Sequence, residues 1–168
     1  MEESRRSKGF SFVEILISII LVGLSITALV VASNSFTQAN ATGADISTAE
    51  FLVEQIRELT AMLPVADPDL TTWTALGPNG EATVAGYDDV DDFDGFNSAA
   101  LGAPIDAHRN LLNALAHFSQ SVTVEKVSKT DFDEVKDDDF DTPFARVTVR
   151  VFLNGREISS ASWIRARY

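Results

Sequence analysis

Lys8-Gly9-Phe10-Ser11-Phe12-Val13-Glu14 leads into an almost charge-free stretch from Ile15 to Ala44, and the reading of that junction decides the fold. A helix needs ~20 apolar residues to cross a bilayer, and Phe10 to Ala32 supplies them without a proline to break the run. A carboxylate at the start of such a run is costly: translocon-type scales set an acidic residue at a helix centre at roughly +2.5 to +3.5 kcal/mol. Glu14 lies near the end of the run, so its cost is smaller, yet no basic residue within the apolar stretch neutralises it. Arg5, Arg6 and Lys8 stand just before Gly9. They place the N-terminus in the cytoplasm and everything after Ala32 across the membrane.

Two plainer readings compete. The segment serves as a signal anchor for an unrelated domain, or it is a secretory signal cleaved after Val30-Val31-Ala32. Against the second, Phe10 to Ala32 exceeds the ~7–15-residue core of a signal peptide. Neither explains Glu14. The order of basic leader, Gly9, Phe10, Glu14 and apolar helix resembles the class III signal of type IV pilins and type II secretion pseudopilins. The resemblance implies that a prepilin peptidase cuts between Gly9 and Phe10 on the cytoplasmic side and methylates the new amine of Phe10. It also implies that Glu14 pairs with the N-terminal amine of a neighbouring subunit as helices pack into a filament. A lone carboxylate in hydrocarbon needs such a cation, and a glycine before the cut lets a protease bring its groups close to the backbone.

The resemblance also sets a fold and a domain plan. The expected fold is α+β and pilin-like, a long N-terminal helix packed on a small antiparallel β-sheet, with the first half of the helix spanning the membrane. The plan is a leader over 1–9, a transmembrane and filament-core half-helix over 10–33, a periplasmic half-helix over 34–63, and a globular α+β domain over 64–168 that ends in a β-hairpin. The chain has no cysteine, so it lacks the disulfide that closes the C-terminal loop of many major pilins. It also lacks the proline that such pilins often carry inside the apolar helix. Both departures point to a pseudopilin or minor pilin.

Net charge is −12. Between Asp45 and Asp141, 21 acidic residues face five basic ones, Arg57, Arg109, Lys126, Lys129 and Lys136. From Arg146 onward the balance reverses, with five arginines against Glu157. An acidic domain repels the phosphate backbone, which argues against nucleic acid as a partner.

Beyond the membrane the helix continues. Ile46, Ala49, Val53, Ile56, Thr60 and Leu63 recur at steps of three and four, and Pro64 and Pro68 with Asp67 and Asp69 end it. The polar patch from Ser33-Asn34-Ser35 through Asn40-Ala41-Thr42-Gly43 marks the membrane exit, and Gly43 a weak point in the helix. Leu76-Gly77-Pro78-Asn79-Gly80 reads as a turn. A short helix is expected from an Asp106 N-cap through Leu111, Leu112, Leu115 and Phe118. Val122, Val124 and Val127 indicate one strand with an irregularity. Val147, Val149, Val151 and Leu153 alternate with Thr148, Arg150 and Phe152 and give a second strand with one buried face. Asn154-Gly155 is a type I′ hairpin signal, and Arg156 to Arg165 returns as the partner strand.

One further constellation stands out, Tyr87-Asp88-Asp89-Val90-Asp91-Asp92-Phe93-Asp94-Gly95-Phe96. Its five carboxylates, Asp88, Asp89, Asp91, Asp92 and Asp94, repel one another unless they are solvated or neutralised, which suits a hard cation such as calcium. The spacing is not that of an EF-hand, because Leu101 stands where the bidentate Glu belongs. A solvated acidic loop and a bound ion both remain open, while the interleaved aromatics argue for packing over disorder. The run also resembles a segment of minor pilin-like proteins of mannose-sensitive haemagglutinin pilus systems. The second acidic run, Asp137 to Asp141, reads as a solvated loop. His108 and His117 do not share a helix face, His108 reading as a surface residue and His117 as a helix-end one. No nucleophile elbow, phosphate loop or Cys/His metal spacing appears, so no enzyme is expected.

The functional expectation is a minor pseudopilin or minor pilin, a structural subunit anchored once in the inner membrane with its C-terminal domain periplasmic. Its partners are prepilin peptidase and other subunits. The rival is a filament-tip recognition or adhesin subunit that uses loop 87–96.

Overall fold

The computed structural model describes residues 9–67, 73 and 75–167. Helix α1 runs over Phe12–Ala61. Ser11 and Glu14 are spaced as a capping box, and the backbone N–H of Ser11 donates to Glu14 Oε2 at 3.3 Å. From residue 9 to residue 44 every position is exposed. The hydroxyls of Ser18, Ser25, Thr27, Ser35 and Thr37 each donate to the carbonyl four residues back, at 2.8–3.1 Å, which spends those donors within the helix and leaves none for a solvent that offers no acceptor. The chain divides into two compact units at Gly43/Ala44, and α1 stays helical through the glycine marked as a weak point. The basic residues Arg5, Arg6 and Lys8, and Pro68 and Asp69 after the helix, lie outside the described residues.

In the second unit α1 turns one stripe inward, made of Ala49, Leu52, Val53, Ile56, Leu59 and Thr60. Ala49, Val53, Ile56 and Thr60 follow the expected spacing. Ile46 is exposed and Leu63 only half-buried, because the stripe takes two positions per turn, which brings in Leu52 and Leu59. Thr60 needs no apolar environment, since its hydroxyl donates to Ile56 O at 2.8 Å.

That stripe packs on an antiparallel sheet of order β1-β2-β3, formed by β1 (Phe118–Lys126), β2 (Phe144–Leu153) and β3 (Arg156–Ala166). The central strand β2 buries Ala145, Val147, Val149 and Val151 completely, which matches the expected alternation, while Leu153 is half-buried at its end. Asn154 (φ 50°) and Gly155 (φ 81°) supply the positive backbone angles of a type I′ turn. One extra residue on β3, Ile158, produces a bulge opposite Val151/Phe152. Val127 is not part of β1 but pairs with Val135 in an isolated bridge.

The helix expected from Asp106 does not form. Asp106 Oδ1 instead accepts from the N–H groups of His108 and Asn110, each at 2.8 Å, and Arg109 has φ 65°, which no α-helix accommodates. Ile105 and Leu111 then close a small loop by an isolated bridge. Only a single 3-10 turn at Asn113–Leu115 follows, and Phe118 opens β1. His117 therefore lies at the sheet entrance rather than at a helix end, its ring 4.6 Å from that of Phe118. His108 is exposed, as expected.

The outer edge of β1 is covered by the segment before it. Gln120 N donates to Ser98 Oγ (2.8 Å), Val122 N to Phe96 O (2.9 Å) and Val124 N to Asp94 Oδ1 (2.8 Å). Between sheet and helix lies a fully buried amide. Gln120 Oε1 accepts from Ile105 N at 2.8 Å, and Nε2 donates to Leu52 O at 2.9 Å and Ile105 O at 3.1 Å.

The last turn of α1 has no basic residue of its own. Arg165 on β3 supplies one, donating to Thr60 O at 3.1 Å and Leu63 O at 2.8 Å, so that orphan carbonyls of the helix end are satisfied by a charged donor. Arg165→Ala in the full chain in detergent should lower the unfolding free energy by about 1–2 kcal/mol, read as a lower urea midpoint with an unchanged slope. Arg165→Lys, which offers a point charge instead of a fork, should restore part of the loss.

Candidate functional site

Two regions carry polar groups where packing alone does not need them. The first is the start of the chain. Gly9 and Phe10 are exposed and precede the first helical residue, so the peptide bond between them lies in open backbone. A Cβ built on Gly9 meets nothing within 4 Å, so no contact among the described residues requires glycine there. Glu14 lies in one shallow groove with Phe10, Ile15, Ser18, Ile19 and Val22. Its hydrogen bond to Ser11 N satisfies an acceptor, and among the described residues no cation balances its charge. The next basic residue along the chain is Arg57. The three-residue spacing of Ser11 and Glu14 is the sequence signal for this capping bond.

The second region is the acidic run, which is packed rather than solvated. Phe93 is completely buried, edge-on to Tyr87 (5.1 Å) and Phe96 (5.9 Å), and Asp91–Phe93 form a 3-10 turn. Backbone bonds pin the loop on several sides. Val90 N donates to Pro64 O at 2.9 Å, Gly77 N donates to Asp91 O at 3.0 Å, and the Arg109 guanidinium holds Ala85 O and Tyr87 O. This rigid turn carries Asp89, Asp91 and Asp92 inward, to relative exposures of 1%, 3% and 1%.

Each of the three uses one oxygen. Asp89 Oδ1 accepts from Asp92 N and Asp92 Oδ2 from Asp88 N, both at 3.0 Å, while Asp91 Oδ2 accepts from Trp73 Nε1 at 2.5 Å. The other three oxygens, Asp89 Oδ2, Asp91 Oδ1 and Asp92 Oδ1, are buried without a partner among the described residues, each at a cost on the order of 1–3 kcal/mol. One carboxylate oxygen from each of the three lies within 4.8 Å of the others, and a second group of the same span joins Asp92 to Asp88 and Glu81. Asp88 is exposed, and Asp94 faces the sheet, bonded to β1. Of the five aspartates in the run, the structure therefore gathers Asp88, Asp89, Asp91 and Asp92 and sets Asp94 apart. Glu81, outside the run, was missed because it joins them through folding alone.

Burial, then the neighbouring Asp89 carboxylate, push Asp91 to about 9, against the pull of the Trp73 hydrogen bond. Burial first, and then the charges of Asp89 and Glu81, lift Asp92 to about 6, although backbone N–H groups resist. Tyr87 is raised too, by burial and then by Asp92 and Glu81. Close by, Lys126 is fully buried on β1, and its ammonium lies over the Trp73 ring (4.6 Å) and donates to the carbonyls of Trp73, Asp138 and Phe140. The second acidic run is thus exposed in its side chains, as expected, but anchored through its backbone.

Both aspartates are raised above their unfolded value of ~3.9, so the folded state binds their protons more tightly. That contribution to stability is complete below the unfolded value and is lost as pH rises through about 6 and about 9. In the presence of a chelator the chain should be more stable near pH 5.5 than at pH 8, by on the order of 2 kcal/mol, and Asp92→Asn should flatten the lower part of the profile. A chelated protein whose urea midpoint rises over that range would contradict this account of the three buried carboxylates.

Residues 4–30 match the family model described as the prokaryotic N-terminal methylation motif. No curated protein and no solved structure matches the chain. The match covers the basic leader, the Gly9–Phe10 bond, Glu14 and most of the apolar half of α1, and α1 is long and apolar enough to cross a membrane. By that motif and by its α+β fold of one long N-terminal helix on an antiparallel sheet, the chain is similar to type IV pilin-like proteins processed by prepilin peptidase.

Proposed function

We propose that the chain is a minor pilin or minor pseudopilin, a structural subunit of a type IV pilus-like or type II secretion filament. It is inserted once in the inner membrane with its N-terminus cytoplasmic, cut between Gly9 and Phe10, methylated on the Phe10 amine, and packed against other subunits through α1. The observation that carries this reading is the methylation motif over residues 4–30. The exposed apolar surface of α1 supports it, since a face of that size is stable only in lipid or against other helices. The groove around Glu14 is suited to a neighbouring helix end, where the Phe10 amine of another copy supplies the missing cation. The minor rather than major role rests on the absent cysteine and the unbroken helix.

A tip-recognition role for loop 87–96 is less well supported. Its aromatic and acidic side chains are mostly turned inward, which leaves little for a ligand to read.

Mass spectrometry of protein isolated from cells with their own peptidase should find an N-terminus at methylated Phe10. An intact Met1, or a start at Ser33, would overturn the assignment. Gly9→Ala should be cut and Gly9→Leu should accumulate as the uncut membrane precursor, because the obstacle is the enzyme and not this chain.

Glu14→Val removes a carboxylate from the apolar segment and should make insertion easier while leaving cleavage intact. Incorporation into filaments should fall sharply, as judged by the share of processed subunit recovered in sheared filament fractions. Normal incorporation would remove Glu14 from any part in assembly.

A further inference from the structure

We propose that Asp89, Asp91 and Asp92 form a buried site for calcium, with Asp88 and Glu81 at its solvent side. The proposal is independent of how α1 is used. It does not rest on acidic residues being close together, because an acidic cluster at a surface needs only water. These three side chains are each more than nine-tenths buried, and each leaves one oxygen without a hydrogen-bond partner among the described residues. Buried carboxylates must be protonated, paired with a cationic side chain or bound to a metal.

Lys126 is the nearby cation, and its charge acts on Asp91 without forming an ion pair with it. No Lys, Arg or His forms an ion pair with Asp89, Asp91 or Asp92 among the described residues, and the ammonium of Lys126 is committed to backbone carbonyls. The donor set is all oxygen, which selects a hard cation over zinc or copper. Its span, within 4.8 Å, lies inside the ~4.6–5.2 Å diameter of a calcium coordination shell, taken as twice its bond length. Magnesium keeps several of its waters and tolerates little distortion, so a dry site built on a 3-10 turn suits it poorly. Asp92 belongs to both carboxylate groups, and exposed Asp88 beside half-buried Glu81 gives the ion a way in. Bound there, calcium fastens the Trp73 and Gly77 segment, which already bonds to Asp91, to the loop that covers β1.

The test uses the full chain in detergent micelles, stripped with chelator and then titrated with calcium chloride alone. Calorimetry should give saturable binding of about one ion per chain, with half-saturation no weaker than the ~10⁻⁴–10⁻³ M of extracellular calcium modules. The melting temperature should rise by several degrees at saturation. Magnesium chloride should raise it less, and sodium chloride at matched ionic strength should leave it unchanged. The triple substitution Asp89→Asn, Asp91→Asn, Asp92→Asn keeps the side-chain shapes, and should abolish the calcium response while the metal-free melting temperature stays equal or rises.

A second readout does not depend on that variant folding. Terbium, a calcium mimic, should luminesce on tryptophan excitation through Trp73, which donates to Asp91. Trp73→Phe should dim that signal while the calcium heat persists. The proposal is overturned if calcium produces no saturable heat, or if the folded triple variant keeps the full thermal response. The first result leaves the carboxylates to protons, and the second assigns the ion to another acidic segment such as Asp137 to Asp141.

Discussion

One unbroken helix has to be compatible with two environments, and this constraint organises the molecule. As far as Ala32, α1 shows apolar side chains on every face, and Ser18, Ser25 and Thr27 use their hydroxyls on its own backbone, as a segment must where nothing outside offers an acceptor. From Ala49 onward a single stripe is enough, because a sheet covers it. The same 3.6-residue geometry serves both, and the change is made by composition alone: an apolar surface all round gives way to one apolar face with Glu50, Glu54, Arg57 and Glu58 on the others. Pro64 can follow directly because Arg165, from the far end of the chain, closes the helix end that the local sequence leaves without a cation.

The sheet shows how polar groups are placed in a small core without disulfides. Gln120 occupies a strand position where the alternation calls for an apolar side chain, and it is tolerated because both ends of its amide are bonded. It joins α1, the Ile105 loop and β1, three elements far apart in sequence. Lys126 does the same at the other end of β1, with its stem buried and its ammonium shared among carbonyls of two loops. Core positions of this kind contribute a defined arrangement as well as burial.

Features that depend on neighbours in sequence were legible. These include the valine alternation of β2, the Asn154–Gly155 turn, the proline stop of α1 and the motif around Gly9 and Glu14. Those decided by distant partners were not. Leu52 and Leu59 are core residues because the sheet is wide enough to cover two positions per turn. The helix expected after Asp106 had both an N-cap and apolar spacing, but the Asp106 side chain satisfies a tight loop instead, and Arg109 turns left-handed within it. In the acidic run the choice between a solvated and a buried loop hung on Phe93. Once its ring enters the core, the flanking aspartates follow it inward, and Asp94 turns to the strand instead of the cluster.

The covering of the sheet margins has a consequence for how the domain meets other protein strands. Exposed strand edges pair readily with strands of other molecules, copies of the same chain included. Here the N–H groups of Gln120, Val122 and Val124 along β1 are already taken by the 94–98 segment, while β3 carries the Ile158 bulge and the charged pair Arg156 and Glu157. Both margins are therefore poor templates for runaway strand addition. Disordered cross-β aggregation at β1 is held off by the same loop that shelters the aspartates.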